Sequence, residues 1–257
     1  MPERLHIISV NIHHISFNES LDHVLQLAAQ RKPSYVCFAN AHMTIEGHKD
    51  RSFAEKVNNA GLVLADGKPI AFACKILYHK RQERISGMDF TPAILKNINE
   101  AKLSVFIYGS TDEVIEAMKK RFTSHYPGIR FVGAASPPFR KLNDDEIRKD
   151  IDTINRSGAH LVLVSLGCPK QEKWMAENSH KINAVLLGIG GALPVVAGIQ
   201  KRAPKWMQNM ALEWFYRLIQ QPKRLFGRYL YTNSYFLFLL SREWIKTIFK
   251  KNADQGK

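Results

Sequence analysis

Short apolar segments alternate with amphipathic ones along most of the chain, and this rhythm restricts the possible folds more than any other feature. Segments predicted as strands are RLHIISVNI, SYVCFAN, LSVFIYG, RFVGAAS, HLVLVSLG and AVLLGIGG. Helical patterns lie between them, such as SLDHVLQLAAQRK, with Ser20 as the expected N-cap, DEVIEAMKKRF and DDEIRKDIDTINRSG. Nearly continuous apolar strands separated by helices predict an α/β fold with a largely parallel, Rossmann-like sheet and flanking helices. In such sheets ligands bind at the carboxyl ends of the strands.

The pattern changes after about Pro194, where strand-like segments stop. A helix-compatible run extends from Pro204 to Ile219, Pro222 interrupts it, and a second run continues from Lys223 to about Lys250. A chain of 257 residues suits one large domain with an extension. We therefore predict an α/β domain over residues 1–198 and a helical appendage over residues 199–257.

Positive charge is concentrated in that appendage. The chain carries a formal charge of +14. From Gln200 onward it contains twelve Lys or Arg residues and three acidic residues. Such a charge attracts nucleic acid, an acidic lipid surface or a phosphorylated small molecule. Basic residues interleaved with tryptophan, tyrosine and phenylalanine suit a helix lying at an anionic membrane surface. The same residues also fit an ordinary helix with solvated charges.

Several targeting and cofactor signals are missing from the sequence. The N-terminal segment lacks the uninterrupted apolar run of a signal peptide, and the apolar stretch from Tyr229 to Leu240 is too short to span a bilayer. Three widely spaced cysteines suit a reducing cytosol, and neither they nor the histidines show metal-ligand spacing. There is no phosphate loop, and GIGGALPVVAG lacks the dinucleotide-binding spacing. Asp150 and Asp152 are expected on a solvated helix face.

Candidate chemical groups follow the predicted strands. Asp66 in LADGKP fits a common Asp-Gly turn, and it also fits a general base that accepts a hydroxyl proton. Arg84 and Asp89 flank Gly87 in RISGMDF, and Gly109 ends another strand. In LVLVSLGCPKQEKW a strand, a glycine turn and a helix start form a potential anion or nucleotide site.

Taken together, these segments resemble the WecG/TagA/CpsF family of bacterial glycosyltransferases. The matching pieces occur in order over most of the chain: FANAHM, LADGKP, RISGMDF, LGCPKQEKW and GIGGALPVVAGIQKRAPKWMQNMALEWFYRLIQQPKRLFGRY. The resemblance implies an inverting, metal-independent transfer of a hexose or N-acetylhexosamine, with N-acetylmannosamine the leading expectation. The donor would be a UDP-sugar, and the acceptor a polyprenyl-diphosphate-linked sugar at the inner face of the bacterial cell membrane. No cofactor is implied.

With this resemblance, residues 1–198 are expected to be the UDP-sugar-binding catalytic domain, and residues 199–257 a membrane-associating appendage that completes the active site. The resemblance also assigns site residues. The family's catalytic aspartate falls on Asp66, as the base that removes the acceptor hydroxyl proton. The donor-pocket residues fall on Asn40, Arg84 and Gln171, to which the strand-terminal Gly109 is added. The arginines that stabilise the diphosphate fall on Arg217, Arg224 and Arg228. Their spacings of seven and four would place them on one helical face unless Pro222 redirects the chain.

One departure from the family pattern concerns the donor. Many members carry Thr-x-Asn where this chain has Phe38-Ala39-Asn40, so UDP-glucose and UDP-N-acetylmannosaminuronic acid stay open as alternative donors. A nucleic-acid-binding module and a nucleotide-dependent oxidoreductase are the rival functions. The one-sided charge and the absence of nucleic-acid motifs disfavour the first rival. Self-association through the hydrophobic surface of the appendage is left open.

Overall fold

The computed structural model of the chain describes residues 2–138, 140–210 and 212–255, without the side chains of Asn209, Arg224, Arg228 and residues 250–255. Eight strands occur in this part of the chain. They are β1 (Arg4–Ile7), β2 (Val10–His13), β3 (Ser34–Ala39), β4 (Leu62–Ala65), β5 (Ser104–Gly109), β6 (Arg130–Ala135), β7 (Leu161–Ser165) and β8 (Val185–Gly188).

Six of these strands form one parallel sheet in the order β4-β3-β8-β7-β5-β6. Strands β4, β5 and β8 are buried along their whole length. This burial explains their continuous apolar sequences, because both faces of a parallel sheet are covered by helices. The predicted α/β class with a largely parallel sheet is confirmed.

Twelve α-helices surround the sheet or extend from it within the described residues. They are α1 (Phe17–Ala29), α2 (Ala41–Lys49), α3 (Arg51–Asn58), α4 (Lys68–Tyr78), α5 (Gly87–Glu100), α6 (Asp112–His125), α7 (Asp144–Ser157), α8 (Lys170–Asn178), α9 (Leu193–Val196), α10 (Lys205–Asn209), α11 (Glu213–Gln220) and α12 (Pro222–Gln255).

The sheet separates two apolar clusters, because alternate residues of each strand point to opposite faces. On β3, Cys37 and Ala39 belong to one cluster, together with Trp174 of α8. Phe38 belongs to the other cluster, where its ring packs edge-on against Phe90 of α5 at a centroid distance of 5.4 Å. The apolar core therefore lies on both sides of the sheet.

Two local predictions were wrong near the N terminus. The first predicted strand is instead an antiparallel hairpin of β1 and β2, which turns at Ile8, where φ is +60°. Helix α1 is capped by Ser16 rather than Ser20. Ser16 accepts a hydrogen bond from the Glu19 amide while the Glu19 side chain accepts one from the Ser16 amide, which is a complete capping box.

The C-terminal helices combine buried and exposed apolar residues. Helix α12 packs against α2 and α4, and it inserts Phe236, Leu239 and Leu240 into the same apolar cluster as Trp174. Glu243 reaches back to the β1–β2 turn, where one carboxylate oxygen accepts from the Ile8 amide at 3.2 Å. Among the described residues, no helix has the length and apolar character needed to cross a membrane.

Candidate functional site

The predicted site residues follow strands that are neighbours in the sheet. Asp66 comes directly after β4, Asn40 directly after β3, and Gln171 lies in the first turn of α8, after β7. Strand β8 lies between β3 and β7, and its last residue, Gly188, contacts the Gln171 side chain. The carboxyl edge of the sheet therefore brings Asn40, Asp66 and Gln171 to one region of the protein.

Asn40 links the end of β3 to the Asp66 carboxyl group. Its Oδ1 atom accepts from the Met43 amide at 3.1 Å and so caps the N terminus of α2. The same side chain lies close enough to the Asp66 carboxylate to lower its pKa as a hydrogen-bond partner. The Asp66 amide in turn donates to the Ala39 carbonyl at 2.8 Å. The backbone and side-chain contacts together fix the direction of the carboxyl group.

Asp66 lies in an environment that partly disfavours its charge. Burial raises the pKa of this carboxyl from 3.8 to about 6, and the charge of Glu213 acts in the same direction. The Asn40 hydrogen bond and the positive charges of Arg217 and Arg84 oppose the rise. A carboxylate with a pKa near 6 is ionised at neutral pH and is a stronger base than an ordinary aspartate.

Arg84 lies beside Asp66 in the segment that joins α4 to α5, and the neighbouring Ile85 amide donates to the Ala65 carbonyl at the end of β4. Its two terminal nitrogens donate to Glu213 Oε2 at 2.5 Å and to Asp89 Oδ2 at 2.7 Å. Arg202 donates to the second oxygens of the same carboxylates, at 3.2 Å to Glu213 and 2.5 Å to Asp89. We call these four residues the ion-pair ring.

Arg217 extends from α11 over the loop that follows β8. Its Nη2 atom donates to the Gly191 carbonyl at 3.3 Å, and its charge acts on Asp66. Arg224 and Arg228 are residues of α12, but the structure describes only their backbone. The three arginines do not share one helix, because α11 ends at Gln220 and α12 begins at Pro222.

Gln171 is almost completely buried, and both of its N–H groups are used. Nε2 donates to the Gly188 carbonyl at 2.9 Å and to Glu172 Oε1 at 2.6 Å. Its Oε1 atom has no hydrogen-bond partner among the described residues. Burial raises the pKa of Glu172, while its bonds to Gln171 and Cys168 oppose the rise. Gln171 is thus held by its amide nitrogen, and its oxygen is the group with unused bonding capacity.

Gly109 lies farther along the carboxyl edge, at the end of β5, and its identity has a packing explanation. Its φ is +92°, and a Cβ atom on this residue would come within 2.7 Å of the Ser165 carbonyl oxygen at the end of β7. Neither the left-handed backbone nor this close approach admits a side chain. The observation accounts for the glycine independently of any contact with a donor.

The Asp150-x-Asp152 pair is not entirely solvated. Asp152 lies on the outer face of α7, as expected, and pairs with Arg156 at 3.8 Å. Asp150 instead accepts a 2.7 Å hydrogen bond from the hydroxyl of Tyr108, a buried residue of β5. Within the described part of the chain, no three His, Cys, Asp or Glu side chains are arranged to hold a metal ion.

Arg202 and Glu213 were missed as members of the site, and Asp89 was noted only as a neighbour of Gly87. The ion-pair ring joins residues separated by 129 positions for Arg84 and Glu213 and by 113 for Arg202 and Asp89. A sequence pattern within one helix or strand cannot indicate ion pairs between residues so far apart in the chain. The available signal was Glu213 itself, one of three acidic residues in a strongly basic stretch.

Known proteins resemble this chain over most of its length. It is 31% identical to the N-acetylglucosaminyldiphosphoundecaprenol N-acetyl-beta-D-mannosaminyltransferase of Bacillus subtilis (strain 168), over 89% of this chain and 88% of the relative. Proteins of the same name from Staphylococcus aureus (strain MW2) and Bacillus spizizenii (strain ATCC 23059 / NRRL B-14472 / W23) are each 30% identical. These matches cover 84% and 76% of this chain and 79% and 74% of the relatives.

The sequence profile of the glycosyl transferase WecG/TagA/CpsF family matches residues 5–250, which include every strand of the sheet and most of α12. The match confirms the family that the five sequence segments resembled. It favours a transferase over the nucleic-acid-binding and oxidoreductase alternatives, since the relatives are transferases by name. With a profile match over nearly the whole chain and relatives at about 30% identity, this chain belongs to the WecG/TagA/CpsF family and is a glycosyltransferase.

Proposed function

We propose that the protein transfers N-acetylmannosamine from a UDP donor to a polyprenyl-diphosphate-linked N-acetylglucosamine in cell-surface polysaccharide synthesis. The observation that carries this proposal is the environment of Asp66, a carboxylate with a pKa near 6 beside Asn40, Arg84 and Arg217. The names of the relatives support the sugar and the lipid-linked acceptor. UDP as the nucleotide follows from the family resemblance.

Asp66 acts as the general base in this proposal. Its carboxylate removes the proton of the acceptor hydroxyl as the hydroxyl oxygen attacks the anomeric carbon of the donor. The bond from that carbon to the UDP oxygen breaks on the opposite side of the sugar ring. A single displacement of this kind inverts the anomeric configuration, and it leaves the proton on Asp66 and the negative charge on UDP.

Cationic side chains stabilise the departing diphosphate. Arg217 lies close enough to act on the charge of Asp66, and we assign it this role together with Arg224 and Arg228. A planar guanidinium suits phosphate oxygens and offsets charge in a site from which water is displaced. The arginines would thereby replace a metal ion. Asn40, Arg84, Gly109 and Gln171 are proposed as contacts of the donor.

The test is UDP release by the full-length protein in detergent, with a short polyprenyl-diphosphate-N-acetylglucosamine acceptor and a panel of UDP-sugars. Wild-type protein should release UDP with one donor only when the acceptor is present. D66N should lose roughly a hundredfold or more of this activity, while D152N, a matched change on the outer face of α7, should retain it. The proposal would be contradicted if none of the UDP-sugars gave UDP release, or if D66N released UDP as fast as wild type.

Two additions to the same assay test the finer parts of the mechanism. Nuclear magnetic resonance of the product reports the anomeric configuration, and retention of the donor's configuration would contradict a single displacement. Activity should be unchanged in the presence of a chelator, with added magnesium as the reference. Loss of activity on chelation and recovery with metal would contradict stabilisation of the diphosphate by arginines.

We also propose that residues 199–257 form a unit that docks on the inner face of the cell membrane. Apart from Phe72 and Tyr78, the exposed large hydrophobic side chains in the described residues all come from this segment. They include Trp206, Met210, Ile219, Phe226, Leu230, Leu237, Phe238, Trp244 and Phe249. Each basic residue near an anionic surface adds about 1 kcal/mol of attraction, and the aromatic rings suit the headgroup region.

Vesicle flotation tests this docking. Leu237 and Phe238 are 59% and 57% exposed on α12, so L237S/F238S should weaken binding to vesicles that contain anionic lipid without unfolding the protein. F72S is the matched control, because Phe72 is 54% exposed on α4, outside the docking segment. Equal binding by wild type and L237S/F238S would contradict the proposal. If the double variant lost only self-association, the exposed surface would serve an oligomer instead.

A further inference from the structure

Helix α11 carries Arg217, yet none of its described residues is buried. Apolar packing of α11 is therefore only partial, with Trp214 in edge-on contact with Tyr229 of α12. Its side-chain hydrogen bonds to other segments include those of the two Glu213 carboxylate oxygens in the ion-pair ring, of Arg217 to the Gly191 carbonyl, and of Gln220 to the Lys201 carbonyl at 3.3 Å. The ion-pair ring supplies the charged contacts in this set.

The ion-pair ring joins four separate segments of the chain. Arg84 comes from the segment before α5, Asp89 from the first turn of α5, Arg202 from the segment before α10, and Glu213 from the start of α11. Each guanidinium bridges both carboxylates, and all four side chains are at least two-thirds buried. Pairs of this kind are stronger and more directional than single surface ion pairs.

Glu213 and Arg217 are four residues apart on α11, so they lie on the same helical face. Fixing Glu213 therefore fixes the direction in which Arg217 extends. From these relationships we infer that Arg202 is a positioning residue of the active site: through the ion-pair ring it holds Arg84 and α11 so that Arg217 faces Asp66. Arg202 itself touches neither Asp66 nor the proposed reacting atoms.

A pH profile separates this role from a simple effect of charge. The groups that face Asp66 are Asn40, Arg84, Arg217 and Glu213. If Glu213 acted only as a nearby negative charge, E213Q would move the acid limb of the rate profile to lower pH. If the ion-pair ring positions the two arginines, its loss withdraws positive charge from Asp66, and the limb moves to higher pH. The two readings predict shifts of opposite sign.

The first experiment compares R202A and R202K with wild type in the UDP-release assay. R202A should lower kcat roughly 10- to 100-fold, as small displacements of a catalytic group do, and should move the acid limb to higher pH. R202K keeps the charge but cannot bridge both carboxylates, so it should recover part of the loss. R140A is the matched control, because Arg140 forms an exposed two-bond pair with Glu146 on the surface.

The double variant R202A/E213Q tests whether the two residues act as one unit. Its loss of kcat should be no larger than that of the more severe single variant, because either change already opens the ion-pair ring. Fully additive losses would overturn the inference. So would an R202A protein with kcat within about twofold of wild type and an unmoved acid limb.

The activity readouts rest on the proposed function, so a second measurement uses no substrate. Amide hydrogen exchange of residues 213–220 should be faster in R202A than in wild type, and unchanged in R140A. If wild type released no UDP with any donor while this exchange result held, the proposed function would fail and the positioning would stand. Unchanged exchange in R202A would overturn the positioning itself.

Discussion

Arg217 lies directly against Gly191: its Nη2 atom donates to the Gly191 carbonyl at 3.3 Å, and a Cβ atom on residue 191 would come within 2.5 Å of that same nitrogen. No side chain fits between them unless the guanidinium moves. The end of a flexible arginine can move at little cost to folding. Gly191 therefore determines the position of the Arg217 guanidinium and has little effect on the stability of the fold.

We predict that G191A lowers kcat for UDP release about 10-fold or more, because it displaces the arginine proposed to stabilise the leaving diphosphate. Thermal melting should change little. The matched control is G227A in α12, where an added Cβ would meet no atom within 4 Å, so the alanine should preserve activity and slightly stabilise the helix. Full activity in G191A would contradict the assigned role of Arg217.

The raised pKa of Asp66 predicts an acid limb in the rate profile. Activity should fall with a slope of one as the pH decreases through about 6, where the base becomes protonated. A profile flat down to about pH 4, near the ordinary value of an aspartate, would contradict the assignment. Stopped assays over this range, with a parallel check that the protein stays folded, give the measurement.

The same shift predicts how Asp66 affects folding stability. Because the folded pKa lies above the unfolded value of 3.8, the folded state retains a proton that the unfolded state releases. Asp66 therefore favours folding less as the pH rises from about 4 to 6. D66N should gain melting temperature relative to wild type near neutral pH and lose that advantage near pH 4. D152N should show no such crossover.

His13 predicts a pH dependence of the opposite sign. It is completely buried in β2, its Nδ1 atom accepts from the Val63 amide at 2.9 Å, and burial lowers its pKa to about 4. The stability that its neutral form contributes is complete above pH 6.5 and is lost as the pH falls toward 4.

The corresponding variant is H13L, which leaves the Val63 amide without its acceptor. It should lower the free energy of unfolding by about 1–3 kcal/mol near neutral pH and should lose less stability on acidification than wild type. The exposed His180 provides the control H180L, which should behave like wild type. A parallel acid dependence in H13L and wild type would show that other groups govern this range.

Phe38, which stands where many family members have threonine, is only 4% exposed and packs against Phe90. We predict that F38T lowers the free energy of unfolding by roughly 3–5 kcal/mol, as expected for removing a buried aromatic ring, and leaves the order of donor preference unchanged. F122T, in the same apolar cluster on α6, is the control. A new preferred donor in F38T but not in F122T would make residue 38 a specificity determinant.

The central strands of the main sheet, β3, β5, β7 and β8, could be predicted because burial on both faces leaves a continuous apolar segment in the sequence. The first hairpin could not, since its turn at Ile8 and Ser9 contains neither glycine nor proline. The cap of α1 had a readable signal, as Ser16 is followed three residues later by Glu19, whereas Ser20 is not followed by an acidic residue at that spacing.

The family resemblance assigned Asn40 and Asp66 to one site, and the order of the strands explains how they meet. Asn40 and Asp66 come after β3 and β4, which pair directly. The surroundings of Arg84 were not predictable in this way, because Glu213 reaches it from a helix outside the sheet. Contacts between a strand end and a distant appendage depend on how that appendage packs, and no local periodicity reports this.

The edges of the main sheet have a consequence for aggregation. Strand β4 lies at one edge, where the β1–β2 hairpin packs against it and His13 occupies the Val63 amide. Strand β6 lies at the other edge, with an extra residue at Val132, between the partners of Val105 and Phe106, and with an exposed Arg130 at its start. Irregular, charged edges resist the addition of foreign strands. Deleting Val132 would remove this irregularity and leave β6 less protected against pairing with the strand of another chain.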